Sequence, residues 1–263
     1  MTKPSNWHED NGFKYRLFPA KTEKPDCVIV YLHCLDGNAE IPYRYLRALQ
    51  DKIPGADVIV PQAPIKTQKS PFVADGKGYS WFPLGGEIAT QIKTWIAHIT
   101  KRLTIAEQME AFAHAHLVKR GLTEDKLAYY GHSMGGIVAL QAGLSGDKPV
   151  AAIVSSSGSV IPMTKVKNKS KVFLQMGGQD EVFNAPMPPM PPKGFLKRIF
   201  AKAVARLSLG HARSIERLHE QGVPLTEKVY PKQGHLQSYK AWTDGVEFMA
   251  KALARREPNS PTG

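Results

Sequence analysis

The stretch Lys126-Leu127-Ala128-Tyr129-Tyr130-Gly131-His132-Ser133-Met134-Gly135-Gly136-Ile137-Val138-Ala139-Leu140-Gln141-Ala142 decides the fold. Its first part is a short apolar run and predicts a buried strand. Its last part is small and apolar, as a helix packed tightly on a sheet should be. Between them lies Gly131-His132-Ser133-Met134-Gly135, a Gly-x-Ser-x-Gly turn. Neither flanking glycine has a Cβ, so the strand and the helix can approach closely. The backbone at Ser133 should be strained, with its side chain projecting at the top of the sheet. The strand before and the helix after, more than the five-residue pattern alone, mark Ser133 as a candidate nucleophile.

Outward from this turn, strand patterns alternate with helical ones, which predicts an α/β domain with a mostly parallel sheet and helices on both faces. Cys27–His33 is continuous, apolar and β-branched, and reads as a central strand buried on both faces. Further strands are expected at Asp57–Val60, Leu127–Tyr130, Val150–Ser155, Lys171–Met176 and Leu225–Tyr230. Helices are expected at Tyr43–Lys52, at Glu87–Arg120 with a break near Leu103–Thr104, and at Trp242–Leu253 with Phe248, Met249 and Leu253 on one side. A long loop with Pro and Gly joins Pro61 to Gly86. The chain of 263 residues reads as a single domain over 1–255, followed by a polar, disordered tail over 256–263.

Hydrophobic residues make up 42 %, enough for a substantial buried sheet, and no apolar run approaches the ~20 residues that span a bilayer. Met1–Asp10 lacks the apolar core of a secretion signal, so a cytoplasmic location is expected. Cys27 and Cys34 fall at the two ends of one strand, too far apart to bridge, and are expected to be free thiols. No Cys/His cluster has zinc spacing; His114 and His116 would not share a helix face, and no metal is expected. Lys and Arg number 35 against 23 Asp and Glu, a net charge of +12. That surplus favours anionic partners or simply keeps the protein soluble. No motif supports nucleic-acid binding.

A serine hydroxyl needs a base, and the base an orienting acid. In hydrolases with this turn the acid and then the base follow the serine along the chain. Asp180, in Gly177-Gly178-Gln179-Asp180-Glu181, follows the Lys171–Met176 strand at the end where ligands meet parallel sheets; Glu181 is its competitor. His235, in Pro231-Lys232-Gln233-Gly234-His235, follows the last strand. His132, inside the turn, is expected to line the site. His33 is expected to hold the loop His33-Cys34-Leu35-Asp36-Gly37. An oxyanion needs preorganised N–H donors, and these are expected from Met134 and Leu35. Trp81 and Phe82 are candidates for the wall of a substrate pocket or for ordinary core.

Four blocks resemble the phospholipase/carboxylesterase family of the α/β-hydrolase superfamily, which includes acyl-protein thioesterases. They are His33–Gly37, Pro61-Gln62-Ala63-Pro64 with Ser80-Trp81-Phe82, the Gly131–Gly136 turn, and the Asp180/His235 pair. The resemblance runs from about Cys27 to Leu253 and implies esterase or thioesterase activity without a cofactor, with Ser133, Asp180 and His235 as the triad. The chain departs from the family's His-Gly by carrying Cys34 after His33.

A second departure is the connection over 184–210, longer than the family's and expected to be a lid-like insertion near the site mouth. Ala185–Pro192 carries five prolines and should be extended. Residues 193–209 follow with an apolar stripe of Phe195, Leu196, Ile199, Phe200, Ala203, Val204 and Leu207 opposite Lys197, Arg198, Lys202 and Arg206. Packing on the body is the expected use of that stripe, and weak association with an anionic membrane surface is the alternative.

The resulting expectation is a serine hydrolase acting on acyl esters or thioesters. The alternatives are a lysophospholipase working at lipid surfaces, favoured by the basic helix, and a hydrolase-fold binding protein that has lost catalysis, which the intact Ser133, Asp180 and His235 disfavour.

Overall fold

Strand β3 (Cys27–Leu32) is buried along almost its whole length, as its apolar sequence requires, and the sheet is built around it. The computed structural model describes residues 7–67, 78–82, 91–160, 164, 166–184 and 210–254. The predicted insertion, apart from its ends at Asn184 and Gly210, and the predicted tail over 256–263 lie outside the described residues.

The sheet has eight strands in the order β1-β2-β4-β3-β7-β8-β9-β10. These are β1 (His8–Asp10), β2 (Phe13–Phe18), β4 (Ala56–Pro61), β7 (Leu127–His132), β8 (Ala152–Ser156), β9 (Val172–Gly177) and β10 (Leu225–Tyr230) around β3. From β4 through β10 the pairing is parallel. All six expected strands are present, each within two residues at either end of its expected span.

No strand is expected before Cys27, yet β1 and β2 form an antiparallel hairpin that pairs with β4. The signal for it is Asn11-Gly12: both residues have positive φ, 47° and 80°, between the paired Asp10 and Phe13. That is the turn chemistry of a two-residue hairpin. A short ladder of β5 (Ile65–Lys66) with β6 (Tyr79–Ser80) returns the long loop to the body just before Trp81.

Two apolar layers cover the sheet. On one face lie α2 (Gln91–Val118) and α3 (Met134–Ser145), with Met109, Phe112, Leu117, Val138 and Leu140 buried. On the other lie α1 (Tyr43–Lys52) and α6 (Tyr239–Leu253), with Leu49, Trp242, Val246 and Met249 buried. Between these helices in sequence come a short α4 (Glu181–Asn184) and α5 (His211–Glu220). Helix α2 runs unbroken through Leu103–Thr104, contrary to the expected break. No Pro or Gly interrupts residues 91–118, so the backbone ladder continues. Helix α6 starts three residues before the expected Trp242 because Ser238 caps it, accepting from Ala241 N at 3.2 Å.

This arrangement places the C-terminal ends of β3, β7, β8, β9 and β10 along one edge, which is where ligands meet a parallel sheet.

Candidate active site

Ser133 sits between the end of β7 and the start of α3 with φ 53° and ψ −118°. A non-glycine residue in this region carries a strain of about 1–3 kcal/mol. The turn is held by Ser133 N donating to Ser156 O at 2.7 Å, and by Ile137 N donating to Ser133 O at 3.2 Å. The two flanking glycines leave no room for a side chain. A Cβ on Gly131 would lie 2.2 Å from Gly135 O, and one on Gly135 would lie 2.2 Å from Leu32 O.

Asp180 and His235 meet Ser133 from the neighbouring strand ends. Asp180 follows β9 and is 0 % exposed. Its Oδ1 accepts from Val182 N at 3.0 Å, and its two oxygens lie 3.0 and 2.9 Å from His235 Nδ1. His235 Nε2 is 2.8 Å from Ser133 Oγ. Glu181, the competing carboxylate, is the exposed first residue of α4. With Nδ1–H directed at a carboxylate, the imidazole presents an Nε2 lone pair to the hydroxyl, and that pair can take the hydroxyl proton.

The acid turn and the histidine loop are built as one backbone unit. Gly178 N donates to Tyr230 O at 2.8 Å, and Gln179 N donates to Gln233 O at 2.9 Å. Their contact is so close that a Cβ on Gly177 would lie 2.2 Å from both Gln233 O and Gly234 O. The pair Gly177-Gly178 directly before the acid is the sequence signal for this junction, although its partner segment is not legible from it.

The loop after β3 is braced from three directions. Gly37 N donates to Cys34 O at 3.0 Å, closing a turn whose positive φ, 59°, falls on Asp36. Cys34 itself needs no positive φ, so its side chain is tolerated where the family usually has glycine. His33 Nδ1 lies 2.8 Å from Cys34 O, while its Nε2 accepts from Ala63 N at 3.1 Å. Those partners assign the proton to Nδ1. Burial holds the His33 imidazole down at about 4, so it stays neutral. Trp81 Nε1 donates to His33 O at 2.8 Å. Among the described residues, the N–H groups of Leu35 and Met134 have no backbone acceptor.

The remaining candidates are placed as follows. Trp81 and Phe82 are 0 % and 1 % exposed, both in the core, with the indole ring 5.0 Å from the His33 ring. The Met134 side chain folds inward, its Sδ accepting from Trp81 N at 3.4 Å. His132 lies with its ring 5.5 Å from the His235 ring and its Nδ1 3.2 Å from Ser156 O. Burial, reinforced by the neighbouring His235, holds His132 down at about 4. Cys27 and Cys34 are both free. Among the described residues no group of three or more His, Cys, Asp or Glu could hold a metal ion, and no helix is long and apolar enough to cross a membrane.

A parallel sheet with a strained serine elbow after β7, and with Asp180 and His235 after β9 and β10, has the architecture of the α/β-hydrolase class. Within that class the chain belongs to the phospholipase/carboxylesterase family, whose model matches residues 18–191. Solved structures resemble it over most of its length. Esterase PE8 superposes with a TM-score of 0.65 at 22 % identity, covering 90 % of this chain and 97 % of that one. SOBER1 of Arabidopsis thaliana gives 0.62 at 18 % identity, covering 86 % and 99 %. Acyl-protein thioesterase 2 of Zea mays gives 0.57 at 16 % identity, covering 91 % and 98 %. At these identities the likeness is one of fold. A search of the curated proteins found no match.

Proposed function

We propose that the protein is a serine hydrolase that cleaves carboxylic esters or thioesters of acyl groups through an acyl-enzyme. The observation that carries this reading is the 2.8 Å contact of Ser133 Oγ with His235 Nε2, on an imidazole whose other nitrogen meets the buried Asp180. Ser133 Oγ attacks the acyl carbonyl carbon while His235 takes its proton. The carbonyl oxygen becomes an oxyanion, held by the N–H groups of Leu35 and Met134. His235 returns the proton to the leaving oxygen or sulfur, and the C–O or C–S bond breaks. Water then adds to the acyl-serine with His235 as base, releasing the acid and restoring the hydroxyl.

Asp180 orients His235 and stabilises its cation. His132 borders the site as a neutral ring, and Trp81 serves it from behind through the His33 loop, which it braces. No cofactor is needed for this chemistry. The two free cysteines suit a reducing compartment, and the reading is of a cytoplasmic enzyme.

The test is labelling by a fluorophosphonate, which reacts only with an activated serine, alongside hydrolysis of p-nitrophenyl esters of increasing chain length. Ser133→Ala should abolish labelling and lower kcat by on the order of 10⁴-fold while the fold persists. Labelling that survives in the variant, or an unlabelled wild type, would sink the reading.

A further inference from the structure

Gln175 is an anomaly in its strand. It is 0 % exposed in the middle of the apolar run Val172-Phe173-Leu174-Gln175-Met176. A buried primary amide costs several kcal/mol unless it is hydrogen-bonded, so its partners carry the reason for its presence. Both ends of the amide are used. One end of the amide is hydrogen-bonded to Tyr130 Oη at 3.1 Å and the other to Tyr230 Oη at 3.2 Å.

The partners belong to the strands that deliver the site. Tyr130 lies on β7, three residues before Ser133, and is fully buried. Gln175 lies on β9, five residues before Asp180, and Tyr230 ends β10, five residues before His235. The Tyr130 hydroxyl accepts a second hydrogen bond from Gln237 Nε2, two residues after His235. The far end of the chain of contacts is fixed to α6, where the Tyr230 hydroxyl lies 2.7 Å from Asp244 Oδ2. Asp244 is itself ion-paired with Lys228 at 2.7 Å and Lys240 at 2.5 Å.

The link between Tyr130 and Gln237 supplies something the backbone does not. The backbone hydrogen bonds described above tie the His235 loop to the Asp180 turn. Ser133 directly follows β7, which is separated from β9 by β8. A side-chain tie is therefore what joins the histidine loop to the serine strand below the reacting atoms.

We propose that Tyr130 and Gln237, seated on Gln175, are positioning residues that hold the His235 loop in register with Ser133. The proposal rests on the triad reading above. The Tyr130 hydroxyl is the junction: without it the Gln237 and Gln175 amides lose a common partner, and the loop loses its tie to β7. A displacement of His235 by a fraction of an ångström lengthens the Oγ–Nε2 contact, to which proton transfer is steeply sensitive.

The test compares Tyr130→Phe, Gln237→Leu and the double variant in the full chain. Three quantities are read: amide hydrogen exchange of residues 231–238, kcat and KM for a p-nitrophenyl ester, and melting temperature. Each single variant should speed exchange in 231–238 selectively and lower kcat by about 10- to 100-fold, with KM changed less than about threefold. The double variant should lose no more than the worse single one, because both changes break the same tie. Wild-type exchange in that segment, losses that multiply, or an effect confined to KM overturns the proposal. So does a general fall in stability with exchange rising throughout the chain, since that is a packing role. Failure of the triad reading is distinguishable: Ser133→Ala would then retain activity, while hydrogen exchange would still judge the frame.

Discussion

Replacing Asp180 by Asn tests the site most sharply, because it changes one charged atom pair and almost no volume. The carboxylate is 0 % exposed, both of its oxygens lie within 3.0 Å of His235 Nδ1, and Oδ1 also accepts from Val182 N. Two losses follow. The first is electrostatic: an imidazolium and a carboxylate with charge centres about 4 Å apart attract by about 4 kcal/mol at an effective dielectric of about 20. That attraction is present in the transition state and absent while His235 is neutral. The second is tautomeric, since an amide NH₂ turned toward Nδ1 needs an acceptor there. The imidazole proton then moves to Nε2, and Ser133 faces a donor where it needs a base. At 1.36 kcal/mol per decade, the two together account for about a 10⁴-fold loss of kcat. Glu181→Gln, one residue away but exposed, should stay within about twofold of wild type. The assay is kcat on p-nitrophenyl acetate for both variants, with circular-dichroism melting to show that each is folded. If Glu181→Gln is the crippled variant, or Asp180→Asn keeps more than about a tenth of kcat, the assignment of the acid is wrong.

Gly177→Ala should lower both kcat and melting temperature, because its Cβ would lie 2.2 Å from Gln233 O and push the histidine loop off the acid turn; an active, stable variant would contradict the close contact. Acid should destabilise the protein between about pH 6.5 and 4. His33 and His132 are held near 4 in the folded chain against an ordinary 6.5. Above 6.5 both states are neutral there; below it only the unfolded chain takes the protons, at up to about 1.4 kcal/mol per pH unit for each histidine. Urea midpoints at pH 7.5, 6 and 5 should fall in that order, and His132→Gln should flatten the trend. Equal midpoints would refute the buried neutral state.

The sheet and the tight turn around Ser133 were legible in the sequence because they rest on local chemistry. A β-branched apolar run such as Cys27–Leu32 has few uses other than a buried strand. Gly131 and Gly135 around Ser133 are dictated by atoms within four residues or on the adjacent strand. The hairpin of β1 and β2 was equally local, and Asn11-Gly12 was its signal. What tertiary structure alone decided is which distant polar groups meet. Nothing near Gln175 in sequence points to Tyr130 and Tyr230 as its partners, 45 and 55 residues away. Nothing around Asp180 chooses it over Glu181 except burial against a loop that begins some 50 residues later. Backbone preferences are settled by neighbours along the chain. The pairing of a buried amide, carboxylate or imidazole is settled by whichever groups the closed sheet leaves out of water together.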